Sequence, residues 1–312
     1  MPMRVLVTGA SGFIGTALCR ELCAHGHAVR AAVRSAADEE PQRLERVVVS
    51  DIAGEFDRDA LLDGIEAVVH LVAVGYSAVD EAMLRRINVE GAVRLARAAA
   101  GRVRRFVFVS SVKAQGEESG ARAFSETDLP LPQDPYGRAK LEAEHSLLEI
   151  AAGSGMELAT LRPPLVYGPG VTGNFLRLLH WVDSGWPLPL GAVENRRTLV
   201  YLGNLVDAIA RCVEHPQASG TFLVADDESP STPELVSRLA NALGHSARMW
   251  PVPVSWLRLA GRIARREEEV RRLVGSLAVD TSLARTRFGW QPPFTLSQGL
   301  TATALWYRSL RR

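Results

Sequence analysis

The chain has 312 residues, 36 basic and 35 acidic, and its formal net charge of +1 offers no overall field for nucleic acid or an acidic membrane. Its length suits one two-lobed enzyme better than two independent domains. The three cysteines, Cys19, Cys23 and Cys212, are an odd, sparse set that fits a reduced, cytoplasmic setting.

Met3 to Val7 reads as a short apolar strand at the N-terminus, which leaves no room ahead of it for a targeting segment. Thr8-Gly9-Ala10-Ser11-Gly12-Phe13-Ile14-Gly15 follows at once and runs into a helical pattern from Thr16 to His25. Glycines at such a turn let the backbone approach a pyrophosphate, and the helix start offers free N–H groups and a positive dipole. Cys19 and Cys23 share a face of this helix and read as core. No histidine–cysteine cluster has metal spacing, so no metal is expected.

Further strands are predicted near 28–33, 46–50, 67–72, 105–110 and 157–162, with helices over 12–25, 78–100 and 136–152 between them. This alternation predicts an α/β fold built on a doubly wound parallel sheet. The run Ala67 to Val74 is too short to span a bilayer and reads as a buried strand. Thr8, Val33, Asp51, His70, Ser111 and Pro163 all fall at predicted strand ends, where such sheets bind ligands. At the second strand Val33 stands where an acidic residue would bond a ribose 2′-hydroxyl, and Arg34 follows. A guanidinium there suits a 2′-phosphate, which favours NADP(H), with NAD(H) the alternative.

Tyr136 and Lys140 stand four residues apart, on one helix face, and Lys140 is one of only two lysines in the chain. An ammonium beside a phenol favours the phenolate, so the pair is expected to exchange a proton near neutral pH. After Gly170 the alternation breaks down and prolines recur. Residues 1–170 are therefore expected to form the dinucleotide domain and 171–312 a smaller substrate lobe, with 198–215 partly returning to the first. Val254 to Ala264 is amphipathic and is expected to pack within the second lobe rather than on a membrane. Arg265-Arg266-Glu267-Glu268-Glu269 reads as a solvated helix face.

The Thr-Gly-x-x-Gly-x-x-Gly loop at Thr8–Gly15 and Tyr136-x-x-x-Lys140 resemble the extended short-chain dehydrogenase/reductase family, also called the NAD-dependent epimerase/dehydratase family. The likeness continues through His70-Leu71-Val72-Ala73, Asn88-Val89-Glu90-Gly91, Phe106 to Ser111, and Leu161 to Gly170. It implies a Rossmann-type fold with Ser111, Tyr136 and Lys140 as catalytic residues. Ser111 is selected over Ser110 by counting back from Gly116, although Gln115 replaces the usual tyrosine. It further implies cofactor contacts at Gly9, Ser11, Gly12, Phe13, Ile14, Gly15, Asp51, Ile52, Leu71, Val72, Ala73, Asn88 and Pro163. Asp51 would bond the adenine amine, and Asn88 would support a water linking the lysine to solvent.

In the second lobe, segments around Gly173-Asn174-Phe175, Pro187 to Gly191, Asn195-Arg196-Arg197 and Asn204 to Asp207 are similar to UDP-hexose 4-epimerases and UDP-4-keto-sugar reductases. That likeness implies a UDP-sugar bound by Asn174, Leu190, Arg197 and one of Arg271 and Arg272. Val112 and Lys113 replace the Asp-Glu pair of family dehydratases, and no cysteine lies near the serine, so simple redox at one centre is implied. Three functions follow as expectations. The first is NADPH-dependent reduction of a UDP-4-keto-6-deoxy-N-acetylhexosamine for surface polysaccharide. The second is 4-epimerisation of UDP-glucose or UDP-N-acetylglucosamine, and the third, more distant, is cofactor sensing without catalysis. No nucleic-acid partner or membrane insertion is expected, and homodimerisation is left open.

Overall fold

A computed structural model describes residues 2–35, 44–75 and 79–311. Seven strands form one parallel sheet: β1 (Arg4–Thr8), β2 (Ala28–Val33), β3 (Leu44–Val48), β4 (Ala67–His70), β5 (Arg105–Val109), β6 (Glu157–Arg162) and β9 (Gly220–Leu223). Their order across the sheet is β3-β2-β1-β4-β5-β6-β9. The middle residues of β1, β4 and β5 are apolar and buried on both sides because helices cover both faces of the sheet. Val5 and Val7 of β1 point to one face and pack with α1 (Phe13–Ala24) and α7 (Leu202–Glu214). Leu6, between them, points to the other and packs with α4 (Gly91–Ala99) and α5 (Pro135–Ser154).

The remaining first-lobe helices are α2 (Arg58–Leu62) and α3 (Glu81–Arg85). The helix expected over 78–100 begins at a residue outside those described. Within them it starts at Glu81, capped by the Asp80 carboxylate, and passes through a π turn over Arg86–Glu90 before α4. The third strand lies two residues earlier than expected. Of residues 198–215, Leu202–Glu214 form α7, whose apolar face joins the sheet core.

The second lobe holds the parallel pair β7 (Leu165–Tyr167) and β8 (Leu199–Tyr201), followed by α6 (Gly173–Asp183), α8 (Thr232–Leu243), α9 (Val254–Ile263), α10 (Glu267–Val274), α11 (Ser282–Phe288) and α12 (Leu296–Ser309). Its core comes mainly from α6, α8 and α12, including Phe175, Leu179, Leu239, Leu300 and Tyr307. α9 departs from expectation. Val254 and Leu257 pack inward, but Trp256, Leu259 and Ile263 stand exposed.

Candidate active site

β1 ends at Thr8 and the chain turns through Gly9, in the left-handed region at φ +74°, into the start of α1. The turn closes with Gly12 N–H donating to Gly9 O at 3.0 Å. A Cβ on Gly15 would sit 2.1 Å from Gly9 O, so only glycine lets helix and loop approach this closely. No side chain caps α1, which leaves first-turn N–H groups pointing out of the helix start. This glycine cradle over an open helix N-terminus fits a dinucleotide pyrophosphate. Ser11 and Gly12 are exposed, while Phe13 and Ile14 are half-buried.

The backbone of Leu71 and Val72 lies against this turn, 3.3 Å from where a Gly9 Cβ would be. Asn88, fully buried in the π turn, holds the same segment. Its Oδ1 accepts from Val74 N–H at 2.8 Å and its Nδ2 donates to Val74 O at 2.9 Å. Ala73 is exposed between them. Asp51 and Ile52 follow β3. Burial pushes the Asp51 carboxyl up, but the Arg86 guanidinium and the Ala53 N–H outweigh it and hold it below the usual range. Ile52 is buried against Gly91. Arg34 is exposed just beyond β2.

At the end of β5 the two adjacent serines part. Ser110 is buried and donates to Glu144. Ser111 is half-buried at the start of a short 3-10 turn (Val112–Ala114), and its Oγ accepts from Lys113 N–H at 3.2 Å. The segment after β6 is tied to this turn, since Val112 N–H donates to the buried Pro163 carbonyl at 2.9 Å.

α5 begins with Asp134 as cap and Pro135 in the first turn, and Asp134 Oδ1 accepts from Gly137 N–H at 2.6 Å. A Cβ on Gly137 would lie 2.4 Å from Lys113 O, so the first turn of α5 and the turn carrying Ser111 are in direct contact. That contact brings Tyr136 and Ser111 to one rim of the sheet.

Lys140, one turn further and almost fully buried, donates from Nζ to Val109 O at 3.0 Å. Its Nζ lies 4.7 Å from the Phe108 ring centroid and 5.9 Å from that of Tyr136. The ammonium is therefore turned to the strand rather than to the phenol. Burial pushes the Tyr136 hydroxyl up to about 12, and the Asp134 carboxylate adds to it. The phenol is thus raised by its surroundings, against the expectation of one lowered by its lysine. Burial pushes the Lys140 ammonium down to about 8, partly opposed by Glu144. His70 accompanies it, pushed down to about 3 by burial and by the Lys140 charge. Its Nδ1 lies 2.7 Å from Thr8 Oγ1, and its buried Nε2 has no hydrogen-bond partner among the described residues.

The depressed Lys140 has a consequence for stability. Below about pH 8 both folded and unfolded chains hold this proton. Between there and its ordinary value near ~10.4, only the unfolded chain does, so native stability gains up to about 1.4 kcal/mol per pH unit from this group. Denaturant titrations of wild type and Lys140→Met across that window are expected to converge as pH rises. A constant gap would show that Lys140 keeps its proton.

The second lobe reaches the same rim. Residues 275–280 run between the loop after Ser111 and residues 196–198. Ser119 N–H donates to Ser276 O at 2.9 Å, and Leu277 N–H to Arg196 O at 2.8 Å. Arg197 is half-buried beside Arg272. Burial lowers its guanidinium, Glu118 opposes this, and the Arg272 charge adds to it. Arg271 instead pairs with Glu117 and donates to Gln133 at 3.3 Å. Glu117 in turn accepts from Lys113 at 3.2 Å, and Lys113 pairs with Asp134. A line of alternating charges thus joins α10 to the cap of the helix bearing Tyr136. Nothing in the sequence alone singled out Glu117 or Asp134 as part of such a line. Asp134-Pro135 just ahead of a helix was the available signal for the cap.

Asn174 is exposed at the start of α6 and accepts from Arg177, whose guanidinium lies 3.6 Å from Glu269 on α10. Leu190 is buried in the second-lobe core. A cluster away from the rim, His25, His27 and Glu214, has metal-type ligand atoms within 4.8 Å of one another. There His27 Nδ1 accepts Met3 N–H at 3.1 Å, which leaves the proton on Nε2 to donate to Glu214 at 2.8 Å. The cluster has the geometry of a clasp between α7 and the loop before β2.

The chain is similar to known proteins along nearly its whole length. A UDP-glucose 4-epimerase of Vibrio cholerae is 39% identical over 97% of this chain and 95% of its own. The structure of a UDP-glucuronic acid 4-epimerase from Bacillus cereus, in complex with NAD, matches with a TM-score of 0.80 at 25% identity, covering 99% of this chain and 97% of that one. MoeE5 in complex with UDP-glucuronic acid and NAD matches with a TM-score of 0.78 at 26% identity, over 98% and 99% of the two chains. The model of the NAD dependent epimerase/dehydratase family matches residues 5–225, and the chain belongs to that family.

Proposed function

We propose that this protein transfers hydride at C4 of a UDP-hexose, and that the net reaction is 4-epimerisation with NAD retained between turnovers. The observation that carries the reading is the meeting of Ser111, Tyr136 and Lys140 at one rim with Arg197 and Arg272 beside the loop that follows Ser111. The 39% identity to a UDP-glucose 4-epimerase supports it.

A bound nicotinamide supplies the hydride acceptor and donor. Tyr136 exchanges the proton of the C4 oxygen, and Ser111 Oγ donates a hydrogen bond to that oxygen as charge develops on it. Lys140 donates one N–H to Val109 O, and its other two donors serve to support the phenolate and bond the nicotinamide ribose. Gly9 to Gly15 hold the pyrophosphate, with Leu71, Val72, Ala73 and Pro163 flanking the dinucleotide and Asp51 and Ile52 on the adenine side. Arg197 and Arg272 hold the sugar-nucleotide diphosphate, since two guanidiniums offer forked donors to it. Arg271, committed to Glu117, serves the lobe contact instead.

A second reading, reduction of a UDP-4-keto sugar with NADPH, rests on exposed Arg34 directly after Val33. Product analysis with cofactor accounting separates the two. Interconversion of a UDP-hexose pair with no net change in reduced nicotinamide is the expected result. One NADPH consumed per UDP-4-keto sugar would establish the reductase instead. In that case Arg34→Ala would weaken NADP(H) over NAD(H) by about 1–3 kcal/mol, read by titration of both cofactors.

A further inference from the structure

The balanced charge of the whole chain conceals a local asymmetry. From His245 to Arg266 there are five arginines and no carboxylate, with Trp250 and Trp256 among them. The structure assembles this stretch around α9. Val254 and Leu257 pack into the second-lobe core. The opposite arc of the helix presents Trp256 at 71% exposed, Leu259 at 57% and Ile263 at 77%. Trp250, 62% exposed, precedes the helix. A shallow cavity of about 400 Å³ lies along α9, with Val254 and Leu259 lining it beside Arg258 and Arg262.

These arginines are poorly neutralised. Arg258 makes no ion pair among the described residues, and Arg262 and Arg266 lie 3.8 Å from Glu267 and Glu269. Arg265 sits at φ 55°, a left-handed position that favours glycine, yet a charged side chain stands there at the turn between α9 and α10. Large apolar side chains in one arc, with arginines alongside and no acidic residue on the helix, have the composition of an interfacial helix.

We propose that the outer face of α9 docks this protein on the surface of an anionic phospholipid bilayer. Trp256, Leu259 and Ile263 enter the boundary between headgroups and acyl chains. Arg258 and Arg262, on the rim of the shallow cavity, hold lipid phosphates. No helix among the described residues is long and apolar enough to cross a membrane, so the attachment is peripheral and reversible. A second copy of the chain fits this face poorly, because pairing it with itself would oppose two runs of five arginines, of which, among the described residues, only Arg262 and Arg266 have a carboxylate within 4 Å.

None of Ser111, Tyr136, Lys140, Arg197 and Arg272 lies on α9, and the test of this face needs no substrate. The full chain is sedimented with vesicles of equimolar phosphatidylglycerol and phosphatidylcholine, and with phosphatidylcholine alone, while tryptophan emission is followed. Binding to the anionic vesicles only, with a blue shift and release by high salt, is the expected result. Arg258→Glu with Arg262→Glu is expected to weaken binding more than tenfold, since each lysine or arginine near such a surface contributes about 1 kcal/mol. Ile263→Ser is expected to reduce the blue shift while leaving turnover of soluble substrate unchanged. Absence of binding at low salt, or equal binding by the arginine variant, would overturn the proposal. So would a solution dimer that Ile263→Ser dissociates, because the face would then belong to a second copy.

Discussion

Replacement of Tyr136 by phenylalanine is expected to lower turnover by roughly 10²–10⁴-fold while leaving cofactor affinity nearly intact. The size follows from its position. Tyr136 lies in the first turn of α5, and the contact between Gly137 and the Lys113 carbonyl fixes that turn against the one bearing Ser111. Removing one hydroxyl deletes the proton donor without moving the cradle at Gly9–Gly15. Burial and Asp134 push the phenol up, so in the proposed reaction the activating charge is that of Lys140, one turn along the same helix. Turnover in Lys140→Met is therefore expected to require higher pH than in wild type. Turnover near wild type in Tyr136→Phe would remove the tyrosine from the chemistry.

The largest stability effect is expected beneath the site. Arg162 and Glu144 are both almost fully buried and pair through two oxygens, at 3.1 Å each from the guanidinium Nε. Ser110 and Gln115 complete the network, Ser110 donating to Glu144 and Gln115 accepting from Arg162. Glu144→Ala leaves a guanidinium in the core without its counterion, which costs about 3–5 kcal/mol. A double replacement, Glu144→Met with Arg162→Met, removes both charges and is expected to recover most of that loss. Denaturant unfolding of the three proteins checks this. If the double variant is as unstable as the single one, the cost belongs to packing rather than to the stranded charge.

That network also shows where the sequence was legible and where it was not. The strand, glycine turn and helix at the N-terminus are local in sequence, so their order alone predicted the fold at that end. The spacing of Tyr136 and Lys140 placed both on one helix. Nothing local distinguishes Ser110 from Ser111, and the partners that separate them, Glu144 and Arg162, lie 34 and 52 residues away in the chain. Gln115 looked like a departure from the family pattern, and its role emerges only with Arg162 across the sheet. The direction of the Lys140 ammonium depends on the Val109 carbonyl, a backbone group that no composition reveals. In β9 only four residues pair with the sheet, so Gly220–Leu223 carried too little pattern to be read as a strand. The bare arc of α9 escaped for the opposite reason. Its periodicity was clear, but amphipathicity does not say which side faces protein.

The return of the chain to the sheet bears on how the molecule can be taken apart. α7 and β9 follow the first segments of the second lobe, yet α7 covers one face of the sheet and β9 closes its far edge. The two lobes are interlaced rather than strung in series. A chain ended near residue 170 would leave β6 with an unpaired backbone edge and the sheet with an uncovered apolar face, the features that drive self-association. Exchange of the second half of the chain between relatives would carry the seventh strand and a helix of the first lobe with it. The two halves of such a protein are not interchangeable parts.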